Sequence, residues 1–198
     1  MAVIGITGGI STGKTTFSAF LGEILPGATF FNADHAARDL AQNDLGVREL
    51  IASDFGEDIY SASGDLNRAR LRSIVFAYAE KKRALEQILH PRIRRQWALE
   101  AQPRRHSSDL FFADIPLLYE TAGEVLCDAV VVVACSNEVQ LGRLMKRASL
   151  DRPTAEQMIA AQMSLTEKIS RADHVVWNNG GLDVLRAQAA ILTQRWRA

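Results

Sequence analysis

The sequence predicts an α/β protein: a doubly wound parallel sheet of five strands carrying a helical insertion and a small lid. Two patterns carry that prediction. Short apolar runs rich in Val, Ile or Phe alternate with longer amphipathic segments, as in sheets whose strands are joined by helical crossovers. Between the second and third runs lie almost eighty residues that read as nearly all helix. That is too much for one crossover, so they form an insertion. The 198 residues are 47% hydrophobic and 23% charged, which suits one compact domain with a subsidiary unit and excludes a disordered chain.

Strands are expected at residues 3–7, 28–32, 110–114, 129–134 and 174–178, each short enough to be buried on both faces. The first helix is expected over 15–25, where Pro26-Gly27 breaks the pattern. Within the insertion, helices are expected over 36–42, 47–55, 67–89 and 92–100. The His90-Pro91 step divides the last two, with His90 extended before the proline. A helix follows over 138–149. The run Asp151-Arg152-Pro153-Thr154 then interrupts the pattern, and Thr154 with Gln157 has the spacing of a capping box for a helix over 155–162. This Arg-flanked segment, about 143–165, reads as a mobile lid. A last helix covers 182–196.

Formal net charge is zero, so adhesion to nucleic acid or to an anionic membrane is not expected. The zero conceals a division. Residues 1–67 carry three basic and nine acidic side chains, and residues 68–105 carry eleven basic and three acidic. The basic stretch reads either as solvated helix faces or as a pocket for an anionic acceptor. Cys127 and Cys135, without a His or Cys cluster, fit neither a disulfide framework nor a zinc site. The N-terminus lacks the basic region of a signal peptide, and the longest apolar run, 129–135, is too short to span a bilayer. A cytoplasmic protein is expected.

The chemistry begins at Gly8-Gly9-Ile10-Ser11-Thr12-Gly13-Lys14-Thr15, which fits G-x-x-x-x-G-K-[ST] between a strand and a helix. Glycines let the backbone approach phosphate oxygens closely, and the following helix turns its positive end toward the same anion. Lys14 is placed for the β- and γ-phosphates, and the Thr15 hydroxyl for Mg²⁺. A chance match in this chain is on the order of 1% from residue frequencies. The sheet is therefore of the P-loop NTPase type. ATP is the expected co-substrate, and Gly8, Gly9, Ser11, Thr12, Gly13, Lys14, Thr15 and the adjoining Thr16 are the candidate nucleotide-binding residues. A Rossmann loop is disfavoured, because no G-x-G-x-x-G follows the first strand.

A kinase must also hold an acceptor hydroxyl and remove its proton. Asp34 and Arg38 follow the second strand four residues apart, on one helix face. Asp34 is a candidate base and Arg38 a candidate anion ligand. Alternatively, Asp34 caps a helix and Arg38 pairs with it. Asp114 ends the apolar run 110–113 and is either a Walker-B-like aspartate near Mg²⁺ or a turn residue. Arg143 and Arg147, also four apart, either neutralise the transferring phosphoryl from a lid or line a solvated helix face.

Together these blocks resemble the dephospho-coenzyme A kinases. The resemblance covers nearly the whole chain in order: Ile6 to Ile10 leading into the loop, Ala33-Asp34 with Ala37-Arg38, and Leu89-His90-Pro91-Arg92-Ile93. It continues through Pro116-Leu117-Leu118-Tyr119-Glu120, Gln140 with Arg143 and Arg147, Gln162 with Lys168, Ala172-Asp173, and Asn178-Asn179-Gly180. It implies ATP-dependent phosphorylation of the ribose 3′-hydroxyl of dephospho-CoA. It also implies a nucleotide core at 1–33 and 107–198 and a CoA-binding insertion at 34–106. On this resemblance Asp34 is the base, and Arg38, His90 and Leu117 belong to the acceptor side. Lys14, Arg143 and Arg147 act on the phosphates, Asn178 lies near the nucleotide base, and Thr15 and Asp114 serve the metal. Two positions depart from the family: Ser11 stands where glycine is usual, and Asn32 where aspartate is common. Rival readings are a P-loop kinase of nucleosides or nucleotides, and a nucleotide-dependent regulatory switch.

Overall fold

The computed structural model describes residues 3–103 and 110–197. The expected junction of insertion and core at 106 and 107 lies outside them, as do Arg104 and Arg105 of the basic stretch. The chain forms two compact units, Met1–Phe31 with Glu100–Ala198, and Asn32–Leu99.

Five strands, β1 (Val3–Gly8), β2 (Thr29–Asn32), β3 (Phe111–Asp114), β4 (Ala129–Ala134) and β5 (His174–Trp177), make one sheet in the order β2-β3-β1-β4-β5. β1 runs parallel to β3 and β4, with Ile6 opposite both Asp114 and Val131, and β4 runs parallel to β5. All five were legible in the sequence to within one residue at each end. From β1 the chain passes to one side of the sheet for β2 and β3, then to the other for β4 and β5. Connections therefore diverge at the carboxyl end of β1, where sheets of this kind bind ligands.

The helices are, from the amino terminus, α1 (Lys14–Ile24), α2 (Ala33–Asn43), α3 (Leu45–Phe55), α4 (Arg68–Ala77) and α5 (Ala79–Ala101). Further on come α6 (Asn137–Ala148), α7 (Arg152–Ala160), α8 (Leu165–Ser170) and α9 (Leu182–Arg197). In the sheet-bearing unit, Phe17 and Leu21 of α1 and Leu185, Ala189 and Leu192 of α9 recur at helical spacing. They pack with Ile4, Ile6, Phe112, Val131, Val133 and Val176 of the sheet. Each fully buried large side chain contributes about 1.5–3 kcal/mol relative to exposure, which fixes α1 and hence the loop before it. The helical unit has its own core of Ala41, Val47, Ile51, Phe55, Ile59, Leu71 and Ile88. On α4, Arg68, Arg70 and Arg72 are exposed. Among the described residues no helix is long and apolar enough to cross a membrane.

Three local expectations are corrected. The helix does not stop at His90-Pro91: α5 runs through Pro91, and His90 is helical and half-buried. Proline removes a single rung of the helix ladder. Buried Ile88 on one side and buried Ile93 and Trp97 on the other hold both halves, while Arg92 Nη1 donates to the Ile88 carbonyl at 2.8 Å. The break lies instead at Tyr78, whose N–H donates to the Ile74 carbonyl and whose carbonyl accepts from Lys82. Finally, Thr154 does not cap α7. Asp151 does, its Oδ1 accepting the Thr154 N–H at 3.0 Å, with proline in the first turn where its missing N–H costs nothing.

Candidate active site

The loop leaving β1 ends at Gly13, whose φ of 101° is left-handed. A Cβ there would lie 2.1 Å from Asn178 Nδ2, so conformation and space both demand glycine. α1 then starts with no side-chain cap and no acidic residue in its first turn. By contrast α2, α3, α4, α6, α7 and α8 each begin on a side-chain oxygen that accepts a backbone N–H. The start of α1 thus keeps its backbone donors and its positive dipole end for an external anion.

Within the loop, Thr12 is fully buried and its hydroxyl donates to the Gly9 carbonyl at 2.9 Å. Asn178, buried just past β5, donates its amide to the Thr12 carbonyl at 2.8 Å. The donor expected near a nucleotide base is therefore engaged with the loop itself. Ser11 holds a φ of 59°, and its hydroxyl oxygen is buried without a hydrogen-bond partner among the described residues. A side chain in the left-handed region costs roughly 1–2 kcal/mol, which glycine would avoid.

A cavity of about 550 Å³ opens over this loop, lined by Ser11, Gly13, Lys14, Thr15, Thr16, Arg143, Lys146 and Arg147. Among the described residues its lining holds four cationic groups and no carboxylate. Lys14 Nζ lies 3.4 and 3.3 Å from the Gly8 and Gly9 carbonyls, long contacts that an anion displaces easily. Among the described residues Arg143 Nη1 is buried with no acceptor, a costly arrangement that a phosphate oxygen would satisfy. The same guanidinium stands by Cys135, whose thiol is pushed up by burial and pulled back in part by Arg143. Lys146 was not anticipated. Its position one residue before Arg147 on α6 is the signal that was available.

Asp114 ends β3, is 6% exposed, and accepts from the Ser18 hydroxyl at 3.2 Å. Ser18 stands on α1 one turn beyond Lys14. Thr15 lies in the first turn of the same helix, its residue exposed. Leu117 sits half-buried in the turn after β3, and its carbonyl accepts from the Thr121 hydroxyl at 2.8 Å. That turn is pinned by Lys168, whose side chain is fully buried. Its ammonium donates to the Pro116 carbonyl at 2.8 Å and pairs with Glu120 at 2.9 Å.

In the helical unit, Asp34 is exposed in the first turn of α2 and Arg38 is exposed one turn on. Asp34 is not the cap. Asn32 Oδ1 accepts the His35 N–H at 2.8 Å, which also accounts for the departure at that position, since asparagine caps as well as aspartate. Among the described residues no ion pair joins Asp34 to Arg38. His90 lies on α5, where burial lowers its pKa and Glu86 partly opposes the shift.

A family model described as dephospho-CoA kinase matches residues 2–183. A dephospho-CoA kinase from Symbiobacterium thermophilum is 42% identical over 199 residues, covering 100% of this chain and 81% of the relative. One from Bacillus licheniformis is 40% identical over 195 residues, 98% of this chain and 96% of the relative. The solved structure of dephospho-CoA kinase from Campylobacter jejuni superposes with a TM-score of 0.68 at 25% identity, covering 98% of this chain and 96% of that one. An uncapped helix behind a glycine-rich loop fits this likeness, and so does the cationic cavity above it. The chain belongs to the dephospho-CoA kinase family and is an ATP-dependent kinase.

Proposed function

We propose that the chain transfers the γ-phosphoryl group of ATP to the ribose 3′-hydroxyl of dephospho-CoA, giving coenzyme A and ADP. The observation that carries the donor half is the uncapped start of α1, which opens onto a cavity of four cations. Backbone donors from Gly8 to Thr16 cradle the triphosphate and Lys14 neutralises its β- and γ-oxygens. Arg143 and Arg147, on a lid of about 143–165, take up charge on the phosphoryl in transit. Asn178 supports the loop from beneath. Thr15 and Asp114 suit Mg²⁺, which binds through one or two protein oxygens together with phosphate oxygens. When bound, the metal neutralises charge on those phosphates.

The acceptor half rests on the family and on a carboxylate released from capping duty. Asp34 takes the proton of the 3′-hydroxyl as its oxygen attacks the γ-phosphorus and the bond to the ADP oxygen breaks. Arg38 and His90, of an insertion at 34–106, and Leu117, of a core at 1–33 and 107–198, are the residues read for the acceptor. The absence of a cysteine-rich disulfide framework in the sequence, with only Cys127 and Cys135, favours a cytoplasmic setting.

Coupled ADP-release assays with dephospho-CoA, set against nucleosides and nucleoside monophosphates, test the proposal. Dephospho-CoA is expected to give the highest kcat/KM. A preference for a nucleoside monophosphate would overturn it.

A further inference from the structure

Ile10, in the middle of the phosphate loop, is held on both sides of its backbone. Its N–H donates to Gln162 Oε1 at 2.9 Å, and its carbonyl accepts from Gln140 Nε2 at 2.9 Å. Its side chain packs against the buried cluster of Leu141, Leu144 and Ala155 between α6 and α7. Gln140 is 4% exposed near the start of α6, and Gln162 follows the end of α7. Both ends of the segment that carries Arg143 and Arg147 therefore converge on one residue of the loop.

Two further observations show that the grip is built. A Cβ on Gly9 would lie 2.4 Å from Gln140 Nε2, and Gly9 is not among the glycines with positive φ. Its missing side chain serves the approach of the glutamine, not a turn. Beyond Gln162, the Met163 N–H donates to Glu120 at 3.0 Å, and Glu120 pairs with buried Lys168. The far end of the segment is thus anchored to the turn after β3.

We propose that Gln140 and Gln162 are positioning residues for phosphoryl transfer. They hold the Ile10 backbone between α6 and the turn after α7, and so couple the arginine-bearing segment to the shape of the phosphate loop. Gln140 acts as donor and Gln162 as acceptor. Exchange for glutamate separates these roles. At 162 a carboxylate still accepts the Ile10 N–H, whereas at 140 it sets a second acceptor against the Ile10 carbonyl. Gln140 is buried and Gln162 half-buried, so Gln140→Glu also carries the larger desolvation cost, and the comparison at one position, Gln162→Glu against Gln162→Met, isolates the acceptor role.

The inference rests on the reading of the loop as an ATP site. Its test is calorimetric titration of full-length protein with ATP in magnesium buffer, alongside KM for dephospho-CoA and the unfolding midpoint without nucleotide. Gln140→Glu and Gln162→Met are expected to weaken ATP binding about tenfold, and Gln162→Glu less than about threefold, because only the first two lose a buried hydrogen bond. KM for dephospho-CoA should stay within about twofold, since no acceptor contact is removed. Wild-type ATP affinity in both Gln140→Glu and Gln162→Met would overturn the proposal, as would equal losses in the two glutamate variants. So would a loss shared with KM for dephospho-CoA and accompanied by a lowered midpoint, which marks a merely structural role. If the wild-type protein bound no ATP, the reading of the loop would fail and this inference with it. Wild-type binding with unaffected variants removes the inference alone.

Discussion

After β1 the chain enters α1 through left-handed Gly13, with no side-chain cap and no acid in the first turn. After β2 it enters α2 through Asn32, whose side chain accepts the His35 N–H, with Asp34 in the first turn. Both helices begin at the carboxyl end of a parallel strand, and both present a positive terminus. The first keeps that terminus for an anion brought from solution. The second closes it with the side-chain oxygen of Asn32. Because Asn32 performs the capping, the Asp34 carboxylate is not taken up as the cap. One junction leaves its helix start open, and the other caps its start and displays an exposed carboxylate.

Substitutions at four positions would break or sharpen this contrast. Lys14→Ala strips the cradle of its central cation and should lower kcat by about 10³-fold, as measured by coupled ADP release. Turnover at the wild-type rate would show that the loop is not the catalytic phosphate site. Asp34→Asn should lower kcat by about 10²-fold with ATP affinity nearly unchanged, because a base acts in the transition state. An unaltered kcat would reduce the second junction to scaffolding. Asn32→Ala should lower stability to denaturant by about 1 kcal/mol, whereas Asn32→Asp should retain the cap and most of that stability. Equal losses in both variants would remove the capping role. Ser11→Gly should shift stability by less than about 1 kcal/mol, since relief of left-handed strain is offset by the freer unfolded chain. A large loss would mean that the buried hydroxyl supports the loop.

The parts legible in the sequence share a cause. Strands such as Ala129–Ala134 are continuous β-branched runs buried on both faces, and the loop motif is a contiguous stretch of one function. What escaped depended on neighbours far along the chain. Pro91 reads as a helix end until Ile88, Ile93 and Trp97 are seen to be buried on either side of it. Lys146 reads as one more surface cation until the cavity is seen. Gln140 and Gln162 meet Ile10 across separations of 130 and 152 residues, where no local spacing rule applies. The Asp34 reading was open between base and cap because both employ a carboxylate at a helix start. The side-chain contact of Asn32 decided against the cap.

The chain's own order of residues determined that a phosphate-binding loop lies between a buried strand and a helix, because glycine, lysine and threonine at fixed spacing act through the local backbone. Local periodicity likewise determined the strands and most of the helices. Tertiary structure alone decided which side chains hold that loop in shape, which cations share its cavity, and which helix starts remain uncapped. Those outcomes depend on packing between elements distant in the chain, where hydrogen bonds and buried charge are set by three-dimensional neighbours and not by sequence spacing.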